Sequence, residues 1–196
     1  MITKLKNPLT PTYLDFKEFI KRDGFAWGHA ESNYGEGAHP GFFTHPFILR
    51  PFANDVAKYP KQVCEHTMYA HQVVEEILDF NGITLNCIYR MNLNKTYPQD
   101  TLNQQTPIHV DHEFPHSNLL IYFTSHQEGE GGQIIINDEH YFPEEDDVIT
   151  FPGTPHSTIL PKKGFRTSLV TTYLGGYTRG DHVDRGEVII DMSIDV

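Results

Sequence analysis

The triplet His109-Val110-Asp111, followed by His156 and then Arg166, carries the residue types and spacing most able to do chemistry in this chain. In an extended segment side chains alternate faces, so residues two apart project together. His109 and Asp111 would share a face while Val110 turns away. One further imidazole from a distant strand would complete two histidines and a carboxylate on one side of a metal. That donor set suits Fe(II), because three protein ligands leave positions open for substrate and oxygen. His156 is placed for the third position. It follows the apolar run Val148-Ile149-Thr150-Phe151 and the tight Pro152-Gly153-Thr154-Pro155, at a strand entrance.

Arg166 opens an apolar stretch, Arg166-Thr167-Ser168-Leu169-Val170. A guanidinium there is costly to bury unless it meets an anion, and its planar fork grips a carboxylate through two parallel hydrogen bonds. Ser168 shares its face and could add a hydroxyl. An ordinary salt bridge to one of the chain's many acidic groups would explain Arg166 equally well if it stood alone. His109, His112 and His116 would form a rival cluster on a helix, but Pro107 and Pro115 argue against a helix there. His112 and His116 therefore read as loop or rim residues, and His126 and His140 as surface or turn residues. Cys64 and Cys87 are not spaced as a redox or zinc pair and read as small buried side chains.

Positioning these groups requires a β framework. From Ile83 the pattern is of short strands: Ile83 to Met91, Ile108 to Asp111, Asn118 to Thr124, Gln133 to Ile136, Asp147 to Phe151 and Arg166 to Leu174. They are rich in Ile, Val, Tyr, Phe and Thr and separated by Gly, Pro, Asn and Asp, which indicates a sandwich or barrel. Before them the spacing predicts two helices. Thr12 could cap the first, with Asp15 answering it and Gly24 ending it. The second runs roughly from Gln62 to Phe80, with Val73, Val74, Ile77 and Leu78 on one side. Trp27 to Pro40 reads as a loop that could serve as a lid. Gly186 to Asp191 reads as one more edge strand, suited to a homodimer contact.

The 196 residues carry a formal charge of -11, with 26 acidic against 15 basic side chains. Such a balance repels phosphate backbones and argues against a nucleic-acid substrate. An aromatic share of 12% is ample for a packed core. The first residues are basic but lack the apolar run of a secretory signal, and no stretch reaches membrane-spanning length. A soluble cytoplasmic protein is the expectation.

From about Leu85 to Tyr177 the chain resembles the iron(II)- and 2-oxoglutarate-dependent dioxygenases, especially the prolyl-4-hydroxylase-like branch. The resemblance rests on His109-Val110-Asp111, Tyr122 within Leu119-Leu120-Ile121-Tyr122-Phe123-Thr124, Gly131-Gly132, Phe151 to His156, and Gly164-Phe165-Arg166-Thr167-Ser168. Two features depart from the family: the insertion from Asn94 to Gln105, and Gln133 where many relatives carry an acid. The resemblance implies a double-stranded β-helix in a mainly β chain with supporting α-helices. It would be one domain over 1–196, with 1–82 as helical support and loop, 83–177 as the β core and 178–196 as a C-terminal extension. It implies His109, Asp111 and His156 as iron ligands and Arg166 holding the distal carboxylate of 2-oxoglutarate, assisted by Tyr122 and Ser168. Tyr89 is a further candidate cosubstrate contact. The implied reaction hydroxylates a C–H bond, consumes molecular oxygen and decarboxylates 2-oxoglutarate to succinate, with ascorbate as reductant. A peptide or protein substrate, prolyl among them, is the preferred partner. A cupin-like metal enzyme using no 2-oxoglutarate, or a barrel that only binds, remain the alternatives.

Overall fold

The computed structural model describes residues 1–30, 41–50, 60–100 and 104–177. The chain is mainly β, as the sequence pattern indicates. Its strands are β1 (Thr3–Leu5), β2 (Gly28–Ala30), β3 (Phe42–Leu49), β4 (Lys61–Gln62), β5 (Ile83–Thr96), β6 (Ser117–Tyr122), β7 (Ile134–Ile136), β8 (Glu139–Tyr141), β9 (Val148–Pro152), β10 (His156–Thr158) and β11 (Arg166–Tyr177). Two helices precede the long strands, α1 (Pro11–Lys21) and α2 (Thr67–Phe80). The larger sheet runs β1-β9-β6-β11-β5-β3-β2, with β4 added on β3, and the smaller runs β10-β7-β8. All pairings are antiparallel.

Period-two alternation divides the larger sheet into two faces. Ile88, Met91 and Leu93 of β5, Leu119 and Ile121 of β6, and Leu169 of β11 point toward the helices. There they meet Tyr13, Phe16 and Ile20 of α1 and Val73, Val74, Ile77 and Leu78 of α2. Each such side chain contributes about 1.5–3 kcal/mol when fully buried. The opposite face carries Leu120, Tyr122, Ile149 and Phe151, which pack with Ile134 and Ile136 of the smaller sheet in a second apolar cluster. The ligand-sized space lies on this second face.

Several boundaries differ from the sequence reading. The cap of α1 is Thr10, whose hydroxyl accepts from the Tyr13 amide at 3.2 Å, because Pro11 suits the first helical position. Thr12 instead donates to Glu76 at 2.9 Å. Helix α2 begins at Thr67, since Lys61 and Gln62 pair with Leu49 and Ile48 of β3. Strand β3 was not foreseen: Pro46 interrupts its pattern, and the register with β5 shifts between Pro46 and Ile48. Its pairing prolongs β5 to Thr96, so the segment read as an insertion from Asn94 begins as strand. Ile108 to Asp111 forms no strand and holds one bridge, His109 with His156. Cys87 is exposed and Cys64 half-buried, while His116 and His126 are buried rather than peripheral. Residues 31–40 of the candidate lid, 101–103 of the insertion and the edge strand at 186–191 lie outside the described residues.

The acidic turn 144–147 ties the N-terminal segment to the sheet. Lys17 pairs with Asp146 at 2.6 Å and with Glu145 at 2.9 Å. Asp147 accepts from Tyr141 at 2.6 Å, from the Glu144 amide at 2.9 Å and from Lys4 at 2.6 Å. Burial pushes the Asp147 carboxyl up, but these donors together outweigh burial and hold it below the ordinary carboxylate value. A folded-state value below the unfolded one contributes stability present above the unfolded pKa of about 4 and lost as pH falls through the folded value. Asp147→Asn should therefore lower stability at neutral pH by about 1–3 kcal/mol. It should also flatten the loss of stability below about pH 4. Urea titrations across the acid range check both, and an unchanged acid slope would sink the assignment.

Candidate active site

His109 and His156 face one another across a narrow antiparallel bridge, each amide donating to the other's carbonyl at 3.0 Å. Their rings lie 4.5 Å apart between centroids. Each ring is pinned in the same way, with Nδ1 of His109 2.9 Å from the Pro107 carbonyl oxygen and Nδ1 of His156 2.9 Å from that of Thr154. A carbonyl accepts only, so Nδ1 carries a hydrogen, and in the neutral ring Nε2 is then the lone-pair atom available to a metal. Pinning of this kind fixes the ring orientation of metal-binding histidines.

Asp111 completes the group. Ligand atoms of His109, Asp111 and His156 lie within 4.8 Å of one another, close enough to hold one metal ion. His156 Nε2 is 3.4 Å from Asp111 Oδ2, yet Oδ2 is buried without a hydrogen-bond partner. Two lone pairs pointed at each other are unfavourable unless a cation lies between them, so the donor set fits a metal. Val110 and Ile108 are exposed, as the alternation of an extended segment requires. Arg90 of β5 donates to Asp111 Oδ1 at 2.7 Å, and Arg50 donates to the Asp111 carbonyl at 2.5 Å. Burial pushes the Asp111 carboxyl up, but Arg90, His156, His109 and Arg50 together bring it below its usual value. Burial lowers the His156 imidazole, favouring the neutral form that can ligate. Sequence reasoning missed Arg90, because nothing local marks it as the partner of a residue 21 positions away.

At the other end of the same cavity lies Arg166, 3% exposed. Its Nε donates to the Gly132 carbonyl at 2.8 Å, Nη1 to Ser168 Oγ at 3.3 Å and Nη2 to Tyr122 Oη at 3.3 Å. Among the described residues no carboxylate pairs with it, so the salt-bridge alternative does not hold there. Gly131 and Gly132 make the Gly132 contact possible. Both have positive φ, and a Cβ on Gly131 would fall 2.1 Å from the Leu160 carbonyl oxygen. Tyr122 and Ser168 are wholly buried beside the guanidinium and hold it in place. Burial raises the Tyr122 phenol against the pull of Arg166, keeping it a donor.

The strand register arranges the cavity floor in rows. Arg90, Thr172, Asn118 and Phe151 are cross-strand neighbours at the triad end. The next row holds Asn92, Val170, Leu120 and Ile149, and the next Asn94, Ser168 and Tyr122. Leu120 and Val170 thus form an apolar stretch between the triad and Arg166. Tyr89 does not line this cavity. The register between β5 and β11 skips it, leaving it as a bulge residue whose ring packs on Phe114 at 4.8 Å and His112 at 5.8 Å.

No protein-family model and no curated protein matches the chain. Solved structures do. A 2OG-Fe(II) oxygenase family oxidoreductase from Burkholderia pseudomallei aligns with a TM-score of 0.61 at 13% identity, over 88% of this chain and 84% of that one. A Trichoplax adhaerens prolyl hydroxylase in complex with a hypoxia inducible factor peptide aligns with a TM-score of 0.55 at 13% identity, over 88% and 83%. A Pseudomonas putida prolyl-4-hydroxylase aligns with a TM-score of 0.53 at 16% identity, over 88% and 91%. No helix among the described residues is long and apolar enough to cross a membrane. Over nearly nine-tenths of its length, this chain has the jelly-roll fold of the 2OG-Fe(II) oxygenases and prolyl hydroxylases.

Proposed function

We propose that the chain is an Fe(II)- and 2-oxoglutarate-dependent oxygenase that hydroxylates a C–H bond. The observation that carries this reading is one cavity with a metal-spaced His-Asp-His group at one end, a buried guanidinium with no carboxylate partner among the described residues at the other, and apolar side chains between. That order of polarity complements a short diacid with methylenes in its middle. A buried arginine without a counterion is costly, and a ligand carboxylate would satisfy it.

In this reading His109, Asp111 and His156 hold Fe(II) through the two Nε2 atoms and the Asp111 carboxylate. Arg90 keeps that carboxylate ionised and aimed. Arg166 grips the distal carboxylate of 2-oxoglutarate, with Tyr122 and Ser168 orienting its fork. Iron, 2-oxoglutarate and molecular oxygen together supply the oxidation, releasing succinate and carbon dioxide as the substrate gains a hydroxyl. The chain positions them and shuts out water. Tyr89, Phe114 and His112 form an aromatic group near the triad and are assigned to the substrate side. A peptide or protein substrate, prolyl among them, is favoured by the prolyl hydroxylase neighbours, one of which is bound to a peptide.

The test supplies Fe(II), ascorbate, oxygen and 2-oxoglutarate with peptide libraries and follows succinate together with a mass gain of one oxygen. Succinate formation coupled to an oxidised peptide is the expected result. Iron binding without any 2-oxoglutarate binding would overturn the reading in favour of a cupin-like enzyme that uses no such cosubstrate.

A further inference from the structure

We infer that Asn118 is a further cosubstrate-positioning residue, its Nδ2 donating to the metal-proximal, 2-oxo acid end of the diacid. The inference rests on the oxygenase reading above and deepens it. Asn118 is completely buried, lines the cavity, and has neither its amide nitrogen nor its amide oxygen hydrogen-bonded among the described residues. A side-chain amide in that condition costs several kcal/mol by transfer estimates. An apolar side chain would avoid the cost, so a fold that keeps the amide has a use for it.

Its place in the register shows what that use is. Asn118 stands opposite Phe151 on one side and Thr172 on the other, in the row that continues to Arg90. Phe151 packs edge-on against the His156 ring at 5.3 Å, and Arg90 holds Asp111. Asn118 is therefore set between the supports of two of the three proposed ligands. Thr172, its neighbour toward Arg90, lies 2.8 Å from His112 Nε2 and is engaged there. On the other side along β6, Leu120 begins the apolar floor. In this row Arg90 is committed through Nη1 to Asp111, while both polar atoms of the Asn118 amide are buried without a hydrogen-bond partner among the described residues. An anionic oxygen is the acceptor an amide N–H recognises best. Arg166 takes the distal carboxylate; the oxygens that remain are those of the 2-oxo acid group.

The experiment uses metal-loaded protein under anaerobic conditions, with 2-oxoglutarate titrated and the visible charge-transfer absorption of the iron chelate followed. Asn118→Leu keeps the branching at Cγ and removes both polar atoms, with a larger side chain; Asn118→Asp keeps the shape and replaces the donor by an anion. Both should weaken 2-oxoglutarate binding by about tenfold or more, as expected for a hydrogen bond to a charged group, the aspartate more than the leucine. Iron affinity measured without 2-oxoglutarate should be unchanged in the leucine variant. Its metal-free form should melt close to the parent, because removal of an unpaired buried amide offsets the strain of a larger side chain. A merely structural asparagine would behave oppositely, with a lower melting temperature and unaltered 2-oxoglutarate affinity. Parent protein that binds iron and 2-oxoglutarate, with both variants matching it in affinity, overturns the role of Asn118 alone. Parent protein that binds iron but no 2-oxoglutarate overturns the oxygenase reading itself.

Discussion

Arg166→Gln is expected to remove 2-oxoglutarate binding while leaving iron binding and the fold in place. The guanidinium is 3% exposed and rests on Gly132, Ser168 and Tyr122, all neutral partners. A dicarboxylate would bring the missing charge. Truncating one partner of a buried, hydrogen-bonded charge pair costs about 2–5 kcal/mol, which corresponds to about 30-fold or more in affinity. Arg166→Lys should rescue little, because an ammonium cannot present two parallel donors. Calorimetric titration of the iron-loaded variants with 2-oxoglutarate measures the loss. Iron affinity measured beside it shows whether the damage stays at one end of the cavity. An Arg166→Gln protein that binds 2-oxoglutarate as the parent does would remove the main support for a diacid cosubstrate.

His156→Ala should abolish iron binding at the opposite end. The loss should exceed the roughly 10–100-fold that removal of a mere outer partner produces. The fold should survive, because the bridge between His109 and His156 is made by backbone atoms that alanine also possesses. Iron binding of the parent should also fall in acid. Ligating imidazoles must be neutral and the carboxylate ionised. Burial lowers the His156 imidazole, and the net effect on Asp111 is likewise downward. Proton competition at His156 should therefore set in below the ordinary histidine value of about 6.5. Metal titrations from neutral to acid pH read this directly. Undiminished iron binding by His156→Ala at neutral pH would show that the metal, if any, sits elsewhere.

Much of the site was legible because its signals are local. Two residues apart on extended backbone share a face, and His109 and Asp111 do converge although no regular strand forms around them. Prolines at 107 and 115 correctly ruled out a helical histidine cluster. Arg166 read as a buried cation in need of an anion, and its surroundings agree. Other expectations failed where pairing partners were invisible. His116 and His126 looked peripheral, yet His116 packs beneath Gly153 and His126 beneath Gly132, places where a Cβ would collide with their rings. Tyr89, a candidate cosubstrate contact by resemblance, falls at a one-residue bulge and does not line the cavity.

The division follows the range of the physical cause. Residue order alone determined what depends on a few neighbouring bonds: the alternating faces, the mainly β character, the apolar stripes of α1 and α2, and the pairing of His109 with Asp111. Tertiary structure decided whatever depends on cross-strand register between distant segments. That includes His156 opposite His109, Arg90 on Asp111, and Asn118 in the row that reaches the triad. Register is set by many weak contacts summed across a sheet, and no short stretch of sequence contains that sum.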